Sequence, residues 1–102
     1  MRLPETTLSA IHHAARLLPE GSHVYLFGSR VDDTRRGGDI DLWLELPSPL
    51  DALALAALCS RFVAAIWQQV GRQRIDVVFS AAGEADDRLI IEEARRNGVK
   101  LA

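Results

Sequence analysis

Residues 27–46 read FGSRVDDTRRGGDIDLWLEL, and this stretch decides the fold. The run just before the glycine, HVYLF at 23–27, has the β-branched and aromatic content of a short strand, and Gly28 stops it. Residues 30–38 form a polar loop. Residues 39–46 then alternate without a break: Ile40, Leu42, Leu44 and Leu46 fall on one face, and Asp39, Asp41, Trp43 and Glu45 on the other. A period of two is that of a strand with one face in a core. It places Asp39 and Asp41 together on the opposite face, and Pro47-Ser48-Pro49 closes the strand.

Outward from this pair of strands the chain alternates helix and strand. Upstream, residues 5–18 predict a helix with Leu8, Ile11, Ala15 and Leu18 on one stripe. Thr6 or Thr7 is its candidate cap, and Pro19-Glu20-Gly21 its end. Downstream, Asp51 begins a long helix that Gly71 ends. Leu55, Leu58, Phe62 and Ile66 follow helical spacing, with Leu53, Val63, Trp67 and Val70 broadening the stripe. Its other side, Asp51, Ala54, Ala57, Arg61, Ala64 and Gln68, is smooth and weakly polar. The plain reading is a solvated alanine-rich face, and the sharper one a surface for a partner protein. Asp51 and Arg61 would each cost roughly 2.5–3.5 kcal/mol near a bilayer centre, so the segment is read as a soluble helix and no membrane is expected.

Residues 74–80 predict a third strand, with Ile75, Val77 and Phe79 inward and Arg74, Asp76 and Val78 on the far face. Residues 84–96 predict a last helix with Leu89, Ile90, Ile91 and Ala94 as inward candidates, capped by Asn97-Gly98. Residues 99–101 suit a short edge strand. The order predicts an α/β (α+β) fold, a small mixed β-sheet with helices packed on one face.

At 102 residues the chain is read as one domain, 1–102. A net charge of -2 gives no global basic field, so direct nucleic-acid binding is not expected, and a polymerase or tailing enzyme would lack its groove. Cys59 is the one cysteine, which rules out an intrachain disulfide and fits a reducing compartment. The first twenty residues lack the pattern of a secretory signal, and the expected localisation is cytoplasmic.

The chemistry lies in the acids. If the second and third strands are neighbours, Asp39, Asp41 and Asp76 converge on the face away from the core. Carboxylates so placed repel, and a divalent cation removes the conflict. Mg²⁺ takes oxygen ligands and is commonly held by a few carboxylates together with substrate phosphates. Two such ions about 3.5–4 Å apart hold the attacking and leaving oxygens of a phosphoryl transfer. Gly28 lets backbone approach a phosphate, Ser29 offers an amide and a hydroxyl, and Arg30, Arg35 and Arg36 bring guanidinium groups to the same loop. Other candidates are weaker. His12 and His13 are adjacent on a helix and diverge by about 100°. Arg72 and Arg74 flank the acids but read first as surface charge. Trp43 shares the Asp face, where covering a helix is commoner than stacking on a base.

FGSRVDDTRRGGDIDLWLEL resembles the signature of the polymerase beta-type nucleotidyltransferases: an apolar strand, Gly-Ser, about ten residues, then Asp-hydrophobic-Asp. RIDVVFS is similar to the strand carrying their third carboxylate. Within that superfamily the chain looks most like the minimal nucleotidyltransferase (MNT) antitoxins, which stand beside HEPN-domain ribonuclease toxins. The resemblance implies an enzyme that transfers AMP from ATP to a tyrosine hydroxyl of a partner HEPN-type toxin and so silences it. By motif, Gly28, Ser29 and Arg30 would hold the nucleotide phosphates. Asp39, Asp41 and Asp76 would be both catalytic and metal-binding, with two Mg²⁺ ions, or Mn²⁺, between them. Asp76 would also help deprotonate the acceptor. Two function classes stay open: this enzyme, and a catalytically silent binding module that neutralises a toxin by contact alone.

Overall fold

The computed structural model describes residues 3–28, 40–82 and 88–102. The elements run α1 (Glu5–Ala14), a 3-10 turn (Ala15–Leu17), β1 (His23–Phe27), β2 (Ile40–Leu46), α2 (Ala52–Val70), β3 (Ile75–Ala81), α3 (Leu89–Asn97) and β4 (Val99–Lys100). The four strands form one mixed sheet in the order β3-β2-β1-β4. β1 is antiparallel to both neighbours, while β2 and β3 are parallel. A parallel pair needs a crossover, and α2 supplies it.

Along residues 40–46 the alternation read from the sequence is the one observed. Ile40, Leu42, Leu44 and Leu46 are buried, and with Val24 and Leu26 of β1 they meet Ile11 of α1 and Leu58, Phe62 and Ile66 of α2. Each such side chain contributes about 1.5–3 kcal/mol on full burial. The Asp51 carboxylate caps α2 by accepting the Ala54 amide at 2.7 Å, and at the other end the Gly71 amide donates to the Trp67 carbonyl at 2.8 Å. Among the described residues α2 alone is long and apolar enough to cross a bilayer, but its Leu58, Phe62 and Ile66 side lies in this core.

A second, smaller cluster lies on the other face of the sheet, where Phe27, Trp43, Ile91 and Ala94 pack together with Tyr25 and Val78 beside them. The mixed sheet with helices on its apolar face is therefore present, and α3 adds a layer over the opposite face. That is why Trp43, on the same side as the acids, is only 3% exposed. Tyr25 stacks on it at 4.5 Å between centroids, the Arg95 guanidinium lies 5.9 Å from its ring, and its indole N–H donates to Ser80 Oγ at 2.6 Å. Trp43 is thus committed to packing under α3.

Several details differ from expectation. The buried stripe of α1 runs through Thr7, Ala10, Ile11 and Ala14, with Leu8 and Ala15 only partly buried, because small residues let α1 lie close to α2. α1 takes Pro4 as its N-cap and uses no side-chain cap. Leu53 and Leu89, expected inward, are each 82% exposed. Each lies on the far side of its helix, Leu53 about 180° around from Phe62 and Leu89 about 160° from Ile91. The side chain of Ile90 lies outside the described part. Gly98 ends α3 with φ -72°, and its reason is closeness, since a Cβ there would collide with the Ala94 carbonyl.

Candidate active site

Three strand ends meet at one edge of the sheet. β2 and β3 are parallel, so they start together, and antiparallel β1 finishes there. Asp41 is the second residue of β2 and Asp76 the second of β3, and the register pairs them directly. Adjacent strands lie about 4.8 Å apart, and both side chains leave the same face, opposite Ile40, Leu42, Ile75 and Val77. The convergence expected of these two acids is what the sheet produces. Both are partly buried, and Asp76 retains 48% exposure of its side chain.

Phe27 of β1 is the cross-strand partner of Asp41, so the chain turns at Gly28 beside that carboxylate. Gly28 has φ +77°, a conformation that side chains rarely adopt. A Cβ built on it would collide with Asp41 Oδ2 and lie 3.1 Å from Cγ and 3.3 Å from Cβ. The glycine thus leaves open the space next to the carboxylate that any other residue would fill. Arg74 enters from the other side, with Nε 3.6 Å from Asp76 Oδ2, and its carbonyl accepts the Ile40 amide at 3.1 Å. That pair is exposed and is worth little to stability. Arg72 turns away, 5.1 Å from the Trp67 ring.

Asp39, Ser29 and Arg30 lie outside the described residues, as do Arg35 and Arg36. Among the described residues no group of three or more metal-ligating side chains forms. The two acids that are placed fit a hard divalent cation: the donors are carboxylate oxygens in register, with a side-chain-free wall at Gly28 where a phosphate can approach. Arg74, read from the sequence as surface charge flanking the acids, is indeed exposed and lies within ion-pair distance of Asp76.

Comparison with known proteins finds no matching family model and no matching curated protein. Solved structures do match. The MntA–HepT toxin–antitoxin complex matches with a TM-score of 0.62 at 19% identity, over 97% of this chain and 72% of that one. A mutant of that complex with two aspartates changed to glutamate gives a TM-score of 0.61 at 20% identity, over 93% and 71%. A toxin–antitoxin structure with AMP-PNP gives 0.64 at 23% identity, over 93% and 72%. The chain has the mixed α/β fold of these structures.

Proposed function

We propose that this chain is a metal-dependent nucleotidyltransferase of the MNT antitoxin type, transferring AMP from ATP to a tyrosine hydroxyl of a partner HEPN-type toxin. The observation that carries the reading is the direct pairing of Asp41 with Asp76 beside Gly28, whose missing side chain keeps the approach to Asp41 open. Support also comes from the fold shared with MntA–HepT and with a toxin–antitoxin that holds AMP-PNP, an ATP analogue.

In this reading Asp39, Asp41 and Asp76 hold two Mg²⁺ ions, or Mn²⁺. Bound there, the ions supply Lewis-acid stabilisation of the phosphate oxygens and of the departing pyrophosphate. Gly28 and Ser29 set the triphosphate against the strand ends, with Arg30 as a further phosphate contact. Asp76 accepts the proton of the acceptor hydroxyl. The acceptor oxygen bonds to the α-phosphorus as the bond from that phosphorus to the bridging oxygen breaks, and pyrophosphate leaves. A docked partner supplies the acceptor hydroxyl. The reading extends to the whole of residues 1–102 as one catalytic domain working in the cytoplasm.

The test is intact mass of the co-encoded partner after incubation with the chain, ATP and Mg²⁺ or Mn²⁺. A gain of one AMP residue, lost with Asp41→Asn, is the expected result. Complex formation with no mass change under either metal would favour the silent binding module.

A further inference from the structure

The side of α2 turned from the sheet is not the flat solvated face its alanines suggest. With α1 and the 3-10 turn it walls a groove of about 490 Å³. His13, Arg16 and Leu17 come from one wall, and Arg61, Ala64 and Gln68 from the other, all of them exposed. Two guanidinium groups from different elements therefore border one groove, and among the described residues no carboxylate lines it. Among the described residues neither Arg16 nor Arg61 has an ion-pair partner. The helices have little acid to offer. α2 carries none along its length, and α1 carries only Glu5, at its far end. In a chain of net charge -2 this is segregation of charge.

Unpaired like charges held near one another disfavour the free protein and favour an anionic occupant. The apolar part of the lining narrows its chemistry. Leu17 is 47% exposed, and Ala64 lies across from it, so the groove offers burial as well as charge. A free small anion would leave that surface wet. A nucleic acid would find no Phe, Tyr or Trp among the described lining residues to stack on, and an acidic protein around it. We propose that the groove docks an acidic amphipathic segment of a partner protein, with carboxylates against Arg16 and Arg61 and apolar side chains on Leu17 and Ala64. Guanidinium pairs well with carboxylate because its fork matches two oxygens.

The groove and the carboxylates lie on opposite layers. α1 and α2 pack on the Ile40–Leu42 face of the sheet, whereas Asp41 and Asp76 leave the other. A segment seated in the groove leaves the strand-end site open. The inference is therefore independent of the transfer reaction, and each stands or falls alone.

The test uses the full chain and three probes: a helical peptide with Glu at i and i+4 and Leu at i+3, the same peptide with Lys for Glu, and a single-stranded RNA oligonucleotide. Binding is followed by amide chemical shifts. The acidic peptide should bind, weaken with added salt, and shift signals centred on Arg16, Leu17, Ala64 and Gln68. Arg16→Glu with Arg61→Glu should lower that affinity about tenfold or more, and the milder Arg16→Gln with Arg61→Gln should lower it less. Both variants should keep the wild-type thermal response to Mg²⁺ and ATP. Equal binding of the Lys peptide, shifts centred elsewhere, RNA displacing the peptide from the groove, or undiminished affinity in the Glu variant would each overturn the proposal.

Discussion

Replacing Gly28 with alanine tests whether the strand-end site is built as drawn. Two separate costs follow from the structure. The first is conformational: at φ +77° an L side chain loses about 1–2 kcal/mol. The second is steric: the new Cβ meets the Asp41 carboxylate, with Cγ at 3.1 Å and Cβ at 3.3 Å. Swinging the carboxylate away relieves the oxygen but leaves the two carbons pressed, and overpacking of this kind costs roughly 1–3 kcal/mol. Together the loss is about 2–5 kcal/mol, which for a domain of this size lowers Tm on the order of 10–30 °C. The partner carboxylate is named, so a double-mutant cycle isolates it. Measured by urea unfolding in an Asp41→Ala background, the Gly28→Ala cost should shrink toward the conformational part, about 1–2 kcal/mol, because Oδ2 and Cγ are gone and only the 3.3 Å Cβ contact remains. Identical costs in both backgrounds would show that Asp41 does not stand where the glycine turns, and the site geometry would fail with it.

Further expectations concern the same face. Asp41→Asn should abolish AMP transfer yet leave the ligand-free protein as stable as wild type or more so, because it relieves repulsion with Asp76. Mg²⁺ with ATP at about 100 times the dissociation constant should add roughly 2.7 kcal/mol to wild type and far less to the variant, and equal thermal shifts would refute the site. Trp43→Phe removes the donor to Ser80 Oγ and should cost roughly 1–3 kcal/mol in chemical denaturation, a neutral result meaning that the bond is not formed in solution. Tyr25 is the chain's one tyrosine, and burial first, then the Glu45 carboxylate, push its hydroxyl above the ordinary 10.0. The folded state thus favours the neutral phenol. Its contribution is full below the unfolded value and is lost as pH rises through the folded one. Ultraviolet titration of native and urea-unfolded chain should show the native midpoint higher, and coincident midpoints would sink the argument.

The sequence made the central strand legible because its two faces differ in chemistry at every step. Ile40, Leu42, Leu44 and Leu46 admit only one phase, and the burial follows it. The helices were less legible for identifiable reasons. The apolar stripes were read too broadly: at about 100° per residue Leu53 lies about 180° from Phe62 and Leu89 about 160° from Ile91, so both face away from the buried side. In α1 the large Leu8 drew the stripe one position off, while the small Ala10 and Ala14 are fully buried. The second layer was invisible for a third reason. Ile91 and Ala94 find their partners, Phe27 and Trp43, on strands far away in sequence, so no local pattern reveals which face α3 covers.

The site divides in the same way between parity and register. Each strand's alternation states which face its aspartate occupies, and that much is local. Whether Asp41 and Asp76 stand abreast depends on how β3 slides along β2. A slip of one residue would put them on opposite faces, and a slip of two would keep the face but part them by about 6.6–6.8 Å. What forbids both slips is the core. The observed register sets Ile40 beside Ile75, Leu42 beside Val77 and Leu44 beside Phe79, all facing α1 and α2. Moving β3 by one residue would turn Asp76, Val78 and Ser80 into that core and expose the three apolar side chains, at about 1.5–3 kcal/mol apiece before the cost of a buried charge. A shift of two would also carry β3 past the Arg74 carbonyl's bond to the Ile40 amide. The apolar pairing that stabilises the sheet is therefore the same constraint that brings two carboxylates together beside Gly28. A substitution that loosened it, such as Val77→Ala, would be expected to weaken metal and nucleotide binding without touching either ligand.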